Sequence, residues 1–186
     1  MTAVELRRWT VAEYHRLIET EILTANDRVE LINGEIIRMS PQGPPHASTT
    51  QQSDESLKQS LGSQVTVRVQ LPITLATSEP EPDLAIVKRR TDAYSTAHPY
   101  PDDILLIVEV SDSTLDFDRT TKAQTYGKAG ILEYWVIDVA GRNLYVLRQP
   151  NGDGYDQEIV LRGGDRVSPI AFSEVAIEVD SLLAPI

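Results

Sequence analysis

The sequence predicts an α/β or α+β domain built on one central mixed sheet flanked by helices. Three observations carry this. Helix signals occur in three separated stretches, and short branched apolar runs bounded by Gly, Pro, Asn and Asp lie between and after them. One of those runs, Ile104 to Val110, is apolar almost without a break, as expected of a strand buried on both faces. Helices interleaved with strands in this way pack on a sheet rather than in a bundle.

The elements follow in order. Thr10 can cap a first helix, with Glu13 completing a capping box and Val11, Tyr14, Leu17 and Ile18 forming its apolar stripe. The runs Arg28 to Ile32 and Glu35 to Met39 flank Asn33-Gly34, a strong tight-hairpin signal. Pro41, Gly43, Pro44 and Pro45 are expected to break the chain. A polar stretch from His46 to Leu61, free of Gly and Pro, then reads as a helix closed by Gly62. Val65 to Gln70, Ile73 to Leu75 and Leu84 to Val87 read as strands, followed by an exposed loop to about residue 103. After the central strand, Asp116 to Ala129 reads as a helix with Gly130 just past its end. Glu133 to Val139, Leu144 to Leu147 and Ile159 to Leu161 read as further strands, with turns at Gly141-Arg-Asn and Asn151-Gly-Asp-Gly154. From Ala171 onward the tail has alternating apolar positions and a short apolar end.

With 186 residues the chain fits one domain, expected over 1–186, that can fold without staples. It has no cysteine, which excludes disulfides, thiolate metal sites and a cysteine nucleophile and fits a reducing cytoplasm. The N-terminus lacks a charged segment followed by an apolar run, so no signal peptide is expected. No apolar run approaches membrane-spanning length, so no membrane partner is expected either. The formal net charge of −11 argues against broad, non-specific binding to nucleic acid, which depends on Lys and Arg neutralising phosphates. A small basic site on an acidic body remains compatible with it. Lys88-Arg89-Arg90 is the only run of three consecutive basic residues, read either as a solvated strand end or as a nucleic-acid strip.

One residue is out of place. Glu109 lies near the end of the most apolar strand, where a lone carboxylate costs several kcal/mol unless paired, protonated or metal-bound. Asp83 stands at the entrance to another strand. If the two strands are neighbours, both carboxylates meet at one end of the sheet, a hard-oxygen arrangement that suits Mg²⁺. A metal so held can generate hydroxide and stabilise charge on a phosphate.

Asp83 followed by Glu109-Val-Ser111 resembles the PD-(D/E)XK nuclease motif, in which an Asp and a Glu bind metal and a Lys two residues beyond the Glu assists catalysis. From about Arg8 to Arg148 the chain looks like the Uma-two family of that superfamily. The carriers are Arg28 to Glu35, Met39-Ser-Pro, His46, Pro82-Asp83, Glu109 to Thr114, Asp118-Arg-Thr-Thr-Lys122, Tyr126, Gly130 and Glu133 to Asp138. The resemblance implies a restriction-endonuclease-like fold, with a family-like core at about 8–148 and C-terminal strands over 155–186. It also implies metal-dependent hydrolysis of a DNA phosphodiester with Mg²⁺ or Mn²⁺, and a homodimer. Asp83, Glu109 and the backbone carbonyl of Val110 would hold the metal. Position 111 is Ser, so the usual Lys slot is empty, and the resemblance implies that Lys122, one helix later, replaces it. Glu30 is implied as an additional acid at the site.

Each residue also has a plainer reading. Asp83 after a proline can be a turn residue, and Lys122 a solvated helix residue paired with Asp118. Glu30 can be an exposed hairpin acid, and His46 a helix-start residue rather than a phosphate contact. His15 and His98 have no partners at metal-ligand spacing. Tyr126, Tyr134 and Trp135 read as core rather than base-stacking groups. The alternative function is a nuclease-like fold that no longer cuts and serves as a DNA-binding or assembly module. Placement of Lys122 beside Asp83 and Glu109 favours the enzyme; a solvent-facing Lys122 favours the alternative.

Overall fold

The computed structural model describes residues 5–185. Helix α1, Val11–Glu19, starts with the expected reciprocal capping box between Thr10 and Glu13. Strands β1, Val29–Ile32, and β2, Glu35–Arg38, form an antiparallel hairpin. Asn33 and Gly34 turn it with φ of +51° and +78°, the left-handed pair that a tight two-residue hairpin requires. The hairpin is its own small sheet, tied to the rest by reciprocal bonds between Leu31 and Glu79.

Helix α2 spans Pro44–Leu61 and ends at Gly62. Pro44 and Pro45, expected to break the chain, instead open this helix. A first-turn proline lacks only an N–H that would have no partner there.

The main sheet has the order β3-β4-β5-β6-β7-β8. Its strands are β3 Val65–Val69, β4 Leu84–Lys88, β5 Ile104–Ser111, β6 Glu133–Asp138, β7 Asn143–Asn151 and β8 Gly154–Arg162. Only β5 and β6 are parallel; every other neighbouring pair is antiparallel. A parallel pair needs a crossover, and the helical segment over 115–128 supplies it.

Residue alternation divides the core between the two faces of the sheet. Val108, Val110, Trp135 and Ile137 pack with Leu57 and Leu61 of α2 and with Leu182 and Leu183 of the tail. Ile107, Tyr134 and Val136 pack with Ala123 and Tyr126 of the crossover helix. Glu109 therefore belongs to the crossover-helix face.

Three further elements differ from expectation. Ile73 to Leu75 is not a strand. Its apolar side chains are buried, but its amides bond to the loop carbonyls of Pro80, Pro99 and Ser78 rather than to a ladder. Strand β7 runs on through Pro150: Arg148 is the last β7 residue paired with β6, through Glu133, so beyond it the missing N–H breaks no bond on that side. The tail is mostly irregular, with two short 3-10 turns, Ile170–Phe172 and Val179–Leu182, and one two-stranded ladder between β9, Arg166–Val167, and β10, Ile177–Glu178. No helix among the described residues is long and apolar enough to cross a membrane.

The crossover helix is locked against the β7–β8 hairpin at Gly127. A Cβ built there would lie 2.1 Å from the carbonyl oxygen of Gly154. Backbone must therefore move to accept any side chain. Gly127→Ala is expected to destabilise the fold by about 1–3 kcal/mol in urea unfolding, the usual cost of overpacking. A loss below about 0.5 kcal/mol would show that the helix is not fixed by this contact.

Candidate active site

Leu84 pairs with Val108, so Asp83, one residue earlier, stands opposite Glu109 where β4 begins. Backbone bonds lock the two together. The Asp83 N–H donates to Glu109 Oε2 at 3.2 Å, and the Val110 N–H donates to Asp83 Oδ2 at 2.9 Å. In a strand the N–H and C=O of one residue point to the same side. The Val110 carbonyl is thus turned toward Asp83 as well.

Lys122 comes from the crossover helix, which is not uniform. A short α-turn, Leu115–Phe117, leads into a π-helical segment, Asp118–Lys122, and then α-helix Ala123–Lys128. The Ala123 N–H reaches back five residues to the Asp118 carbonyl. From this segment the Lys122 ammonium lies 2.9 Å from Glu109 Oε1, 3.6 Å from Glu30 Oε1 and 4.0 Å from Asp118 Oδ1. Tyr126, one turn on and on the same helix face, donates its hydroxyl to Glu109 Oε1 at 2.7 Å. Asp118 is itself held by the hydroxyls of Ser111 and Thr114. Glu30 also accepts the Glu81 N–H at 3.2 Å.

All four expected side chains, Glu30, Asp83, Glu109 and Lys122, are buried and converge on one pocket. Sequence reasoning left His46 open. The structure puts its Nε2 3.2 Å from Asp83 Oδ2. It missed Gln70, which donates to Asp83 Oδ1 at 3.2 Å, and Glu81 on the pocket wall. No local signal marks Gln70; only the β3–β4 pairing brings it there. Other candidates fall elsewhere. His15 pairs with Glu79. Tyr134 and Trp135 are fully buried, their polar atoms bonded to the Asp118 carbonyl and to Glu133. Lys88, Arg89 and Arg90 lie at the far end of β4 from Asp83, about 16 Å along the strand. Arg90 there is already paired with Asp92 and Asp103.

The pocket has a volume of about 230 Å³, and six carboxylates line it: Glu30, Glu81, Asp83, Glu109, Asp112 and Asp118. The two opposed carboxylates differ in proton affinity. Burial pushes Glu109 up to about 8, aided by the charges of Asp83, Asp118 and Glu30 and opposed by Lys122. Burial also acts on Asp83, but the hydrogen bond and charge of His46 and the Val110 N–H outweigh it and hold its pKa low. Burial opposes charge on Lys122, yet Glu109, Glu30 and Asp118 overcome it, so the ammonium stays protonated. His46 is raised in the same way, burial being outweighed by Asp83 and by Asp112 and Asp118. The pair thus offers a standing anion beside a proton-holding acid.

Among the described residues no three His, Cys, Asp or Glu side chains form a closed metal cage. What the pocket offers is two carboxylates and a backbone carbonyl, all hard oxygen donors. That set fits a small divalent cation that keeps several of its waters.

The Uma2 family model, described as "Putative restriction endonuclease", matches residues 11–180. The chain belongs to the Uma2 family. The match runs from α1 into the C-terminal turns, so the Uma2-like region extends past the expected limit near residue 148. A solved structure from Anabaena variabilis, described as a putative nuclease belonging to DUF820, is 18% identical with a TM-score of 0.72. The alignment covers 93% of this Uma2 chain and 96% of that one, and it establishes the restriction-endonuclease-like fold. No curated protein matches.

The raised pKa of Glu109 has a consequence for stability. Between the ordinary value of 4.5 and about 8 the folded state holds a proton that the unfolded chain has lost. Stability from this group is therefore present at low pH and lost as pH rises through that window. Without metal, the melting temperature is expected to fall more steeply from pH 5 to 8 in the wild type than in Glu109→Gln. Parallel curves would show that Glu109 titrates normally.

Proposed function

We propose that this protein is a metal-dependent endonuclease that hydrolyses phosphodiester bonds in DNA. The observation that carries the reading is the meeting of Asp83, Glu109 and Lys122 in one buried, acid-lined pocket. Asp83, Glu109 and the Val110 carbonyl would hold Mg²⁺ or Mn²⁺. Such a cation supplies Lewis-acid polarisation of the scissile phosphate and activation of a water. Asp83 is ionised beforehand. Glu109 would have to be deprotonated to serve as a ligand, so affinity for the cation would depend on pH.

Lys122 supplies a positive charge that does not titrate near neutrality. Its ammonium stabilises negative charge growing on the phosphate, and its point of attachment matters less than where that ammonium ends up. The π-helical turn supports this role, since such turns recur at functional sites. Glu30 and Asp118 lie close enough to Lys122 to help keep its ammonium charged if Glu109 were to ligate the cation. Tyr126 and His46 orient the two carboxylates. A homodimer would match a two-fold-symmetric duplex. The net charge of −11 favours the alternative of a non-cutting module; the buried Lys122 beside Glu109 favours the enzyme.

Two measurements test the reading. Mg²⁺ or Mn²⁺ should raise the melting temperature of the wild type through mass action, and Glu109→Gln should abolish that rise. Equal stabilisation of both proteins would exclude the metal site. Lys122→Ala should remove most DNA cleavage, about 100-fold or more as for loss of one stabilising group, while metal stabilisation persists. A Ser111→Lys change in that background is expected to restore part of the cleavage, since position 111 shares a strand face with Glu109. Full cleavage by Lys122→Ala alone would remove the lysine from the chemistry.

A further inference from the structure

A second cavity, of about 410 Å³, lies against the acidic pocket and shares Met39 and Glu81 with it as a partition. Its other walls come from α1, the loop after it and the start of β1. Tyr14, Leu23 and Val29 are apolar walls, and Arg28 is a cationic one. Ile18 at this cavity is 45% exposed, so apolar surface remains uncovered there. The floor is fixed: the Tyr14 hydroxyl donates to the Val29 carbonyl at 3.0 Å. The partition is fixed as well, since the Met39 N–H donates to the Arg28 carbonyl at 2.8 Å.

Charge distinguishes this cavity from its neighbour. The acidic pocket repels a polyanion except where a cation and Lys122 offset it. Arg28, and Arg38 on the rim of the acidic pocket, flank Met39 in the hairpin. Among the described residues neither forms a salt bridge, unlike Arg90, Arg119, Arg148 and Arg166. Arg28 acts on the charge of Glu81 and Arg38 on that of Asp27, in neither case at salt-bridge distance, so both guanidinium groups keep donors for the phosphates on either side of the one being cut. A cavity with the Tyr14 ring, Leu23 and Val29 among its walls, one partition away from that phosphate, fits the base attached to it. A base can enter only after leaving the stack, which is easiest when it is unpaired.

Resting on the nuclease reading above, we propose that the cavity walled by Tyr14, Leu23, Val29 and Arg28 receives an unstacked nucleobase adjoining the scissile phosphate. The substrate class is then a nucleic acid with an unpaired nucleotide at the cut, rather than a fully paired duplex. Arg28 holds the backbone of that nucleotide, and the apolar walls hold the base.

Ala25→Trp tests this. Ala25 is an exposed residue of the cavity wall, away from the carboxylates, and a ring there fills the space. Ile18→Trp, at a half-exposed position outside the four named walls, fills it from a second point. Binding is measured by fluorescence anisotropy, in Ca²⁺ to suppress cleavage, with two labelled DNA duplexes: one fully paired, one with a single bulged nucleotide. The wild type is expected to bind the bulged duplex at least about fivefold more tightly, the lower end of what one base contact contributes. Either variant should lose that preference while keeping its affinity for the paired duplex and its stabilisation by Mn²⁺. Equal affinity of the wild type for both duplexes, or an undiminished preference in both filled variants, overturns the proposal and leaves the nuclease reading standing. Failure of the wild type to bind either duplex overturns the nuclease reading itself, and the proposal with it.

Discussion

Burial of the Glu109 carboxylate organises this molecule. A charge in the interior is tolerated only when other groups are arranged around it. Here the arrangement draws on most of the fold. The ammonium comes from the π-helical turn, the phenol from Tyr126 one turn later, and the amide from Asp83 on the neighbouring strand. The hairpin brings Glu30 to the far side of the ammonium, and α2 brings His46 to Asp83. Even so, the acids around the pocket outnumber the cations, and that excess together with burial is what raises the proton affinity of Glu109. A divalent cation would relieve the same imbalance, which is the physical reason to expect one.

The Gly127–Gly154 contact matters for the same reason. Lys122 and Tyr126 reach Glu109 only if the helix lies close to the sheet, and that distance is set by two glycines meeting backbone to backbone. The one parallel pair, β5–β6, follows from the helix crossing over to carry these residues. Fold and site are therefore consequences of one another along residues 104–138.

Much of the fold was legible because its signals are local. Thr10 and Glu13 mark a helix start, Asn33-Gly34 a hairpin turn, and the apolar run from Ile104 a central strand, wherever the rest of the chain goes. Ile73 to Leu75 misled because burial alone produces the same apolar composition as a strand, and nothing nearby reveals that its amides bond to loops. Pro150 misled for the opposite reason, since its tolerance depends on where β6 ends.

The site divides along the same line. Glu109 stood out because a carboxylate in such a strand needs an explanation, Asp83 followed from its place at a strand entrance, and the family resemblance supplied Glu30 and Lys122. The π-helical turn that aims Lys122 has no spacing signature, and Gln70 and Glu81 enter only through tertiary pairing. The charge run at Lys88 to Arg90 drew attention by being contiguous, whereas Arg28 and Arg38, ten residues apart, are the arginines beside the pocket.

The central claim is that the opposed carboxylates of Asp83 and Glu109 are a divalent-metal site. Anomalous diffraction from a crystal grown with Mn²⁺ tests it most directly. One strong peak is expected within coordination distance of Asp83, Glu109 and the Val110 carbonyl, with the Lys122 ammonium still inside the pocket. A peak only at surface acids, with Lys122 still bonded to Glu109, would contradict it.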